Sequence, residues 1–275
     1  MSQQPFADAS YGTVAEFLDS VSGGLRNPRN QAAWSAYFEE DRASWYGANC
    51  RTGRDVQSLV HTGWPDGMAM VERLLAKTSA SLATPVDRRR RNRRGPQGDS
   101  LDIHAVYRGQ LDVAWTRPVR TNARGPQRVD LVANMICSGA ENAEVLAWRG
   151  AAAIAIADRL TAAGYQVRII VGFGGRCSGA PLSCRITVKD HGGPLDVSTA
   201  AAVMVPGFFR ALGHAWTAAH HPERIWSPGM TVQGSRTEPG EIVISHETRD
   251  QESAIATIDR VIAGVNNPDG ARDVA

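Results

Sequence analysis

A run of arginines at residues 88–94 is the segment of the chain with the clearest capacity for chemistry. Six of these seven positions are arginine, and only Asn92 interrupts the run. Guanidinium groups at this density can neutralise phosphates and release the counterions that surround a nucleic acid. Like charges also repel one another and resist packing, so a solvated loop facing an acidic surface is the alternative interpretation. The residues are Arg88, Arg89, Arg90, Arg91, Arg93 and Arg94.

The histidines do not follow the spacing of known catalytic or metal sites. His220 and His221 are adjacent at the end of a predicted helix, whereas two zinc ligands on a helix are spaced i, i+4. Asp102 and His104 alternate on one face of a possible strand and could contact a substrate. The sequence contains no GxSxG or HExxH motif. We therefore expect no catalytic residue, no metal ligand and no cofactor.

The spacing of the cysteines and the net charge bear on the cellular compartment of the protein and on the classes of partner that it can bind. No two of the four cysteines form a CxxC pair, which predicts reduced, unconnected thiols in a cytoplasmic protein. The cysteines are Cys50, Cys137, Cys177 and Cys184. The net charge is only +2, so no global field favours nucleic acid or membrane. The chain starts without a basic segment followed by an apolar one, which predicts no signal peptide. No apolar run approaches the roughly 20 residues that a membrane span needs.

Helical patterns dominate the first 80 residues. Thr13 and Glu16 have the spacing of a capping box, and Phe17 and Val21 follow on one helical face. Further helical spacing over 56–75 is broken at Gly63 to Pro65. We therefore expect a helical N-terminal region at 1–80 and an exposed arginine-rich linker at 81–100.

Strands alternate with helices in the rest of the chain, which predicts an α/β domain at 101–265 with a mostly parallel sheet sandwiched by helices. Gly172 to Gly179 predicts a hairpin connection, and the strand after it alternates as an antiparallel edge strand would. Pro206 and Gly207 should break the helical region that contains them. Residues 266–275 are expected to be a disordered tail. The predicted strands cover 128–136, 167–173, 184–189 and 241–245, and the predicted helices cover 143–163, 199–219 and 255–262.

This order of strands and helices resembles a von Willebrand factor A-type domain. The lead-in GDSLDIHAVYRG at 98–109, followed by RPVR at 117–120, is similar to the approach to that domain in cobaltochelatase and nitric-oxide-reductase accessory proteins. Those proteins work beside MoxR-type AAA+ ATPases. The segments SWYG at 44–47 and GWPDG at 63–67 resemble uncharacterised bacteriophage and prophage proteins. The resemblance implies a cytoplasmic protein of a bacterial or phage-infected host cell.

The resemblance also implies a position for a metal site, at the carboxyl edge of the sheet. The family uses Asp-x-Ser-x-Ser after the first strand, a later Thr and an Asp after the fourth strand. These supply the hard oxygens that Mg²⁺ prefers. In this chain the corresponding residues are Asn134, Ile136 and Ser138, then Ser198 or Thr199, and finally His246. An amide, hydroxyls and an imidazole carry too little negative charge to hold Mg²⁺, so we expect a degenerate metal site.

The leading hypothesis is a non-catalytic protein-interaction module, an accessory partner of a MoxR-type AAA+ ATPase and of phage or prophage origin. Its partner would contact the degenerate corner formed by Asn134, Ser138, Ser198, Thr199 and His246. The alternative is a nucleic-acid-associated protein that binds through Arg88 to Arg94.

Overall fold

Five strands form the central sheet of the larger of two units in the computed structural model. The structure describes residues 7–30, 35–78, 90–120, 127–136, 141–177, 180–220 and 237–266. The larger unit comprises residues 1–83 and 128–275, and the smaller unit comprises residues 84–127. The strands of the large sheet are β1 (Ala7–Tyr11), β5 (Arg128–Asn134), β6 (Gln166–Cys177), β7 (Ala180–Lys189) and β8 (Ile242–Ile244).

The sheet has the order β1-β7-β6-β5-β8 and is mostly parallel. β5 pairs in parallel with both β6 and β8, and only the β6–β7 pair is antiparallel. Leu131, Val132 and Ala133 of β5 are fully buried, as expected for the apolar central strand of such a sheet. The mixed α/β class with a mostly parallel sheet flanked by helices is therefore confirmed.

Eight α-helices among the described residues of the larger unit flank its sheet, and several pack in one core. Phe17, Val56 and Leu74 from the N-terminal helices join Leu131 and Ile154 in the same buried cluster. The first 80 residues thus contribute to the α/β core. The helices before the smaller unit are α1 (Val14–Leu25), α2 (Ala43–Tyr46), α3 (Gly53–Thr62) and α4 (Pro65–Lys77), and those after it include α6 (Ala143–Ala162) and α9 (Gln251–Asn266).

The N-terminal residues depart from the helical prediction. Ala7–Tyr11 forms β1, which pairs in parallel with β7 from Ala7↔Leu182 to Tyr11↔Ile186. The strand predicted at 184–189 is consequently covered on its outer side and is not an edge strand. A partner so distant in the sequence leaves no local pattern, which is why the periodicity of residues 7–11 did not predict this strand.

The hairpin predicted at 172–179 is present, because β6 and β7 pair antiparallel, but Gly174 and Gly175 do not form its connection. β6 continues to Cys177, so Gly174 and Gly175 lie within the antiparallel ladder. A Cβ atom at Gly174 would lie 2.4 Å from the carbonyl oxygen of Leu182. The close approach of the two backbones therefore explains the glycine here.

A glycine on α6 allows close packing against the segment that follows α7 (Val197–Val203). A Cβ atom on Gly150 of α6 would lie 2.4 Å from Cβ of Met204. The predicted break at Pro206 and Gly207 is present, because α7 (Val197–Val203) ends before it and a π-helical turn (Phe208–Gly213) leads into α8 (His214–His220).

Over its described residues, 90–100, the linker predicted at 81–100 contains strands of the smaller unit. β2 (Arg90–Gly95) pairs antiparallel with β4 (Trp115–Arg120), and β4 also pairs with β3 (Ser100–Leu101). Ladder hydrogen bonds use the backbone, and neighbouring side chains of a strand point to opposite faces, so repulsion among arginines does not prevent pairing. The boundary at 101 is wrong for the same reason, since β3 and β4 belong with β2. The unit also holds the short helix α5 (Ile103–Tyr107).

No helix among the described residues is long and apolar enough to cross a membrane. The predicted tail at 266–275 lies outside the described residues, except for Asn266 at the end of α9.

Candidate partner-binding site

The carboxyl end of β5 is where the family resemblance implies a metal. Here the main-chain carbonyls of Asn134 and Ile136 accept hydrogen bonds from Nη1 of Arg149, at 2.6 and 2.8 Å. Arg149 lies on α6 and is fully buried. The side chain of Asn134 is also engaged, since its Oδ1 accepts from the backbone N–H of Ile136 at 3.2 Å. We call Asn134, Ile136 and Arg149 the β5 corner.

The β5 corner does not fit a divalent cation. The buried guanidinium already occupies the carbonyl oxygens at the strand end, and its positive charge repels a cation strongly in a medium of low dielectric constant. Asn134 contributes an amide in place of a carboxylate. Within the ranges that the structure describes, no group of three His, Cys, Asp or Glu side chains could hold a metal ion.

The other residues predicted for the corner are only partly brought together. β5 and β8 are parallel neighbours, so Asn134 and the exposed His246 lie at the same edge of the sheet. β7 runs antiparallel to β6, and its end at Lys189 pairs with Ile169 near the opposite edge. The chain therefore enters α7, which contains Thr199, from the side away from Asn134.

Thr199 has a local role at the start of α7. Its hydroxyl donates to Oδ2 of Asp196 at 2.6 Å, and its backbone N–H donates to Oδ1 of the same carboxylate at 3.2 Å. This is the arrangement by which an N-terminal cap satisfies backbone donors of a helix. Ser198 lies in the same turn, but its side chain is outside the described part, and so is all of Ser138.

A second buried arginine close to this edge was not anticipated. Arg210 donates to the main-chain oxygens of Trp45 and Glu141, each at 2.8 Å. The carboxylate of Glu141 lies 3.7 Å from Nη2 of Arg249, which follows β8. The available signal was a single arginine inside an otherwise apolar helical stretch, at Arg149 and again at Arg210. A buried charge of this kind requires specific partners.

The structure describes only part of the arginine run that is predicted to bind nucleic acid. Arg88 and Arg89 lie outside the described residues, and Arg90, Arg91 and Arg93 belong to β2 with side chains that are not described. Arg94 is exposed, and its Nη2 atom lies 3.4 Å from Oδ2 of Asp102. One charge of the run is therefore partly compensated within the smaller unit.

Large apolar side chains are concentrated on the surface of the smaller unit. Tyr107 is 85% exposed, Leu111 is 63% exposed and Ile103 is 57% exposed. A soluble domain normally has such residues singly, so a cluster within eleven residues is a sign of an interaction site. We call the set the apolar patch, and it comprises Leu101, Ile103, Val106, Tyr107 and Leu111.

The backbone beneath the apolar patch is tightly hydrogen-bonded. The side chain of Asp102 caps α5 by accepting from the N–H of Ala105 at 3.2 Å, and the N–H of Asp102 donates to Ala114 at 2.7 Å. Ala105 and Ala114 are buried. Gln110 donates to the carbonyl of Ala105 at 2.9 Å, which closes the turn after α5. Asp102 thus has a structural role, and the apolar side chains belong to a hydrogen-bonded segment made of β3, α5 and the 3-10 turn at Leu111–Val113.

Comparison with known proteins gives one family. The sequence profile of a family described as a domain of unknown function (DUF7192) matches residues 5–264. Searches of curated proteins and of solved structures found no match.

Proposed function

The chain belongs to the DUF7192 family, and from this premise we propose that it is a protein-interaction module whose partner binds the apolar patch. The observation that carries this function is the exposure of five large apolar side chains within one hydrogen-bonded segment of eleven residues, which runs from β3 through α5 to Leu111. A partner that covers these apolar side chains removes them from water, and this burial stabilises the complex. No bound metal or catalytic step is needed for such a role.

Charge defines the chemistry of the partner. The smaller unit contains ten arginines and four aspartates, with no lysine or glutamate, which gives +6 with its histidine neutral. The rest of the chain carries 20 basic and 24 acidic residues, a net charge of −4. Arg94, Arg108 and Arg117 are exposed in the smaller unit. The partner should therefore present apolar side chains flanked by Asp and Glu, because complementary charge steers association and selects against wrong partners.

The apolar patch favours protein over nucleic acid. Leu101, Ile103, Val106 and Leu111 have no aromatic face on which a base can stack, and Tyr107 is the one aromatic member. The net charge of +6 nevertheless favours nucleic-acid binding as the second candidate function. It would use Arg88 to Arg94 and would weaken steeply as the salt concentration rises.

The larger unit has features that support a von Willebrand factor A-like domain with a degenerate metal site. β5 is followed by a parallel β6, an antiparallel β7, and then β8 on the other side of β5, as the resemblance implies. By analogy, the partner would be a MoxR-type AAA+ ATPase and the origin phage or prophage. The setting would be a bacterial or phage-infected cytoplasm, in which free thiols such as Cys50 and Cys184 stay reduced.

Site-specific photo-crosslinking tests the function directly. A photoreactive amino acid is placed at Tyr107 of the full chain, in cells of the natural host, and the adducts are identified by mass spectrometry. We expect a protein adduct that disappears when Ile103 and Leu111 are both changed to serine. A photoreactive residue at Glu72, an exposed position on α4, should not give it.

Matched variants separate the outcomes. Val243→Ser removes a comparably exposed apolar side chain from the larger unit and should leave the adduct unchanged. A nucleic-acid adduct at position 107, lost when the six arginines of the run become glutamine, would establish the second candidate instead. If position 107 yields no adduct, or the adduct survives the double serine variant, the apolar patch is not the binding site.

A further inference from the structure

Ser20 and His220 lie side by side although 200 residues separate them. Ser20 is on α1 and His220 ends α8, and Oγ of Ser20 is 2.9 Å from Nε2 of His220. The other ring nitrogen, Nδ1, is 3.1 Å from the carbonyl oxygen of Trp216. On the opposite side, Oγ of Ser20 is 2.8 Å from the hydroxyl of Tyr11. Nε1 of Trp216 donates to that hydroxyl at 2.6 Å.

The indole N–H and the carbonyl oxygen of Trp216 are the two ends of this series of hydrogen bonds, and they determine the direction of every bond in it. Because a carbonyl oxygen only accepts, Nδ1 of a neutral His220 must carry the proton, and Nε2 is then an acceptor. Ser20 must therefore donate to His220. An indole N–H only donates, so Tyr11 accepts from Trp216 and has its own proton to give to Ser20. Both ends lead to the same arrangement, in which the proton of Ser20 points at His220.

This arrangement is the signature of an activated nucleophile. It requires a hydroxyl within hydrogen-bond reach of a base, and a third group that orients the base. The carbonyl of Trp216 is the orienting group, and the indole ring of Trp216 stacks on His220 at 5.5 Å with an interplanar angle of 19°. His220 is exposed, and Ser20 and Tyr11 are partly exposed, so small reagents can reach the hydroxyl.

We propose that Ser20, His220 and Tyr11 form a site for acyl transfer from small esters, a function additional to partner binding. Oγ of Ser20 would attack the ester carbonyl while its proton passes to Nε2 of His220. Collapse of the tetrahedral intermediate expels the alkoxide, which takes the proton from His220 and leaves as the alcohol. Water then attacks the acyl-serine with His220 again accepting the proton, which releases the acid and restores the Ser20 hydroxyl.

Tyr11 is the donor placed to stabilise the intermediate. Its hydroxyl proton points at Oγ of Ser20 in the resting state. Once Oγ bonds to the ester carbon, that proton can turn to the neighbouring carbonyl oxygen, where the negative charge develops. The hydrogen bond from Trp216 polarises that hydroxyl and makes it a stronger donor. Hydrogen-bond donors aimed at a developing oxyanion lower the barrier to acyl transfer.

Labelling with a fluorophosphonate tests the nucleophile. The serine oxygen bonds to phosphorus, fluoride leaves, and the serine proton passes to His220. We expect the mass label on Ser20, with none at that position in Ser20→Ala. Ser22→Ala changes a serine on the same helix and should label at the wild-type rate. If Ser20 labels no faster than Ser22, the hydrogen bonds among Tyr11, Ser20 and His220 are only a structural contact between α1 and α8.

His220→Gln separates chemistry from structure. A glutamine oxygen can still accept from Ser20, so the fold should survive, but it cannot take up the proton. Loss of a general base slows reaction by about 100-fold or more, and we expect that loss for both labelling and hydrolysis of p-nitrophenyl acetate. Tyr11→Phe should lower ester hydrolysis while Ser20 remains in place. Unchanged rates in a folded His220→Gln protein would overturn the assignment.

Discussion

Three arginines in the described part of the larger unit, two of them fully buried, bond to backbone carbonyl oxygens. Arg149 binds the end of β5, and Arg210 binds the ends of two segments through Trp45 and Glu141. Arg159 donates from Nη2 to the carbonyls of Leu75 and Thr78, where α4 ends. Cations near the carboxyl end of a helix are favoured by its dipole as well as by the hydrogen bonds. Each guanidinium therefore supplies hydrogen-bond donors to two main-chain carbonyl groups.

Arg149→Met should destabilise the protein by about 2–4 kcal/mol, because two buried carbonyl oxygens lose their donor. Arg260→Met is the control, since Arg260 is exposed and pairs with Glu247 at 3.5 Å. Its effect should stay below about 1 kcal/mol. The free energy of unfolding from urea titration measures both. Equal effects would mean that the guanidinium of Arg149 does not hold the strand end.

His214 should make the protein sensitive to acid. Burial, followed by the nearby charges of Arg210 and Arg42, lowers the pKa of His214 from its ordinary value of 6.5 to about 3. Its ring packs against Trp45 and Phe209, with centroid distances of 5.4 and 5.6 Å. Below pH 6.5 the unfolded chain binds a proton that the folded protein does not. Stability is therefore unaffected by this group above pH 6.5 and falls by about 1.4 kcal/mol for each unit below it.

The corresponding measurement is the free energy of unfolding at pH 6.5 and at pH 5. His214→Gln should remove about 2 kcal/mol of the loss that the wild-type protein shows between these values. His61→Gln changes an exposed histidine on α3 and should leave the difference as in the wild type. An unchanged pH dependence in His214→Gln would show that His214 is not the buried neutral base.

At the scale of elements, α1 and α8 approach closely because glycine and alanine meet. A Cβ atom on Gly24 would lie 2.4 Å from Cβ of Ala219, so Gly24→Ala must push the helices apart. We expect a loss of about 1–3 kcal/mol, typical of overpacking. Adding Ala219→Gly should restore part of it, because the two methyl groups then no longer collide. Additive losses in this double-mutant cycle would contradict the close contact.

Separation of these helices has a second consequence. Ser20 and His220 lie on the same pair of elements, so Gly24→Ala should lengthen their hydrogen bond and slow fluorophosphonate labelling of Ser20. Labelling should recover with Ala219→Gly. The packing of α1 on α8 is thus the element-level condition for the proposed site.

At the scale of the whole molecule, the main core belongs to the larger unit. The members of the buried apolar cluster lie within residues 17–74 and 131–262, and all strands of each sheet belong to the same unit. The smaller unit has its own buried residues, Ala105 and Ala114. Residues 84–127 therefore have the character of an insertion between α4 and β5 that carries the apolar patch and the arginines.

Replacing residues 84–127 by a flexible linker of about ten residues should leave the larger unit folded. Circular dichroism should show a helix-rich spectrum, and urea unfolding should remain cooperative, because the core cluster is retained. Ser20 should still label with the fluorophosphonate. A protein that does not fold after this replacement would show that the smaller unit is part of the structural core.

Local patterns in the sequence were sufficient for the elements that the chain specifies within a short window. The strand at β5, the helix at α6 and the break at Pro206 and Gly207 were all predicted, because strand and helix periodicity and proline geometry act over a few residues. The parallel pairing of β5 with β6 followed from the short connection through α6.

The features that only the tertiary structure decided all depend on partners distant in the chain. β1 pairs with a strand some 175 residues away, and the arginine run becomes a strand because β4 supplies its ladder. Arg149 meets the end of β5 because α6 packs across it, and no local pattern specifies which carbonyls a buried guanidinium reaches. Ser20 and His220 meet because two helices cross at Gly24 and Ala219. The sequence by itself determined the central strands and the long helices, and packing between distant segments determined β1, β2 and the places where charge, hydroxyl and imidazole come together.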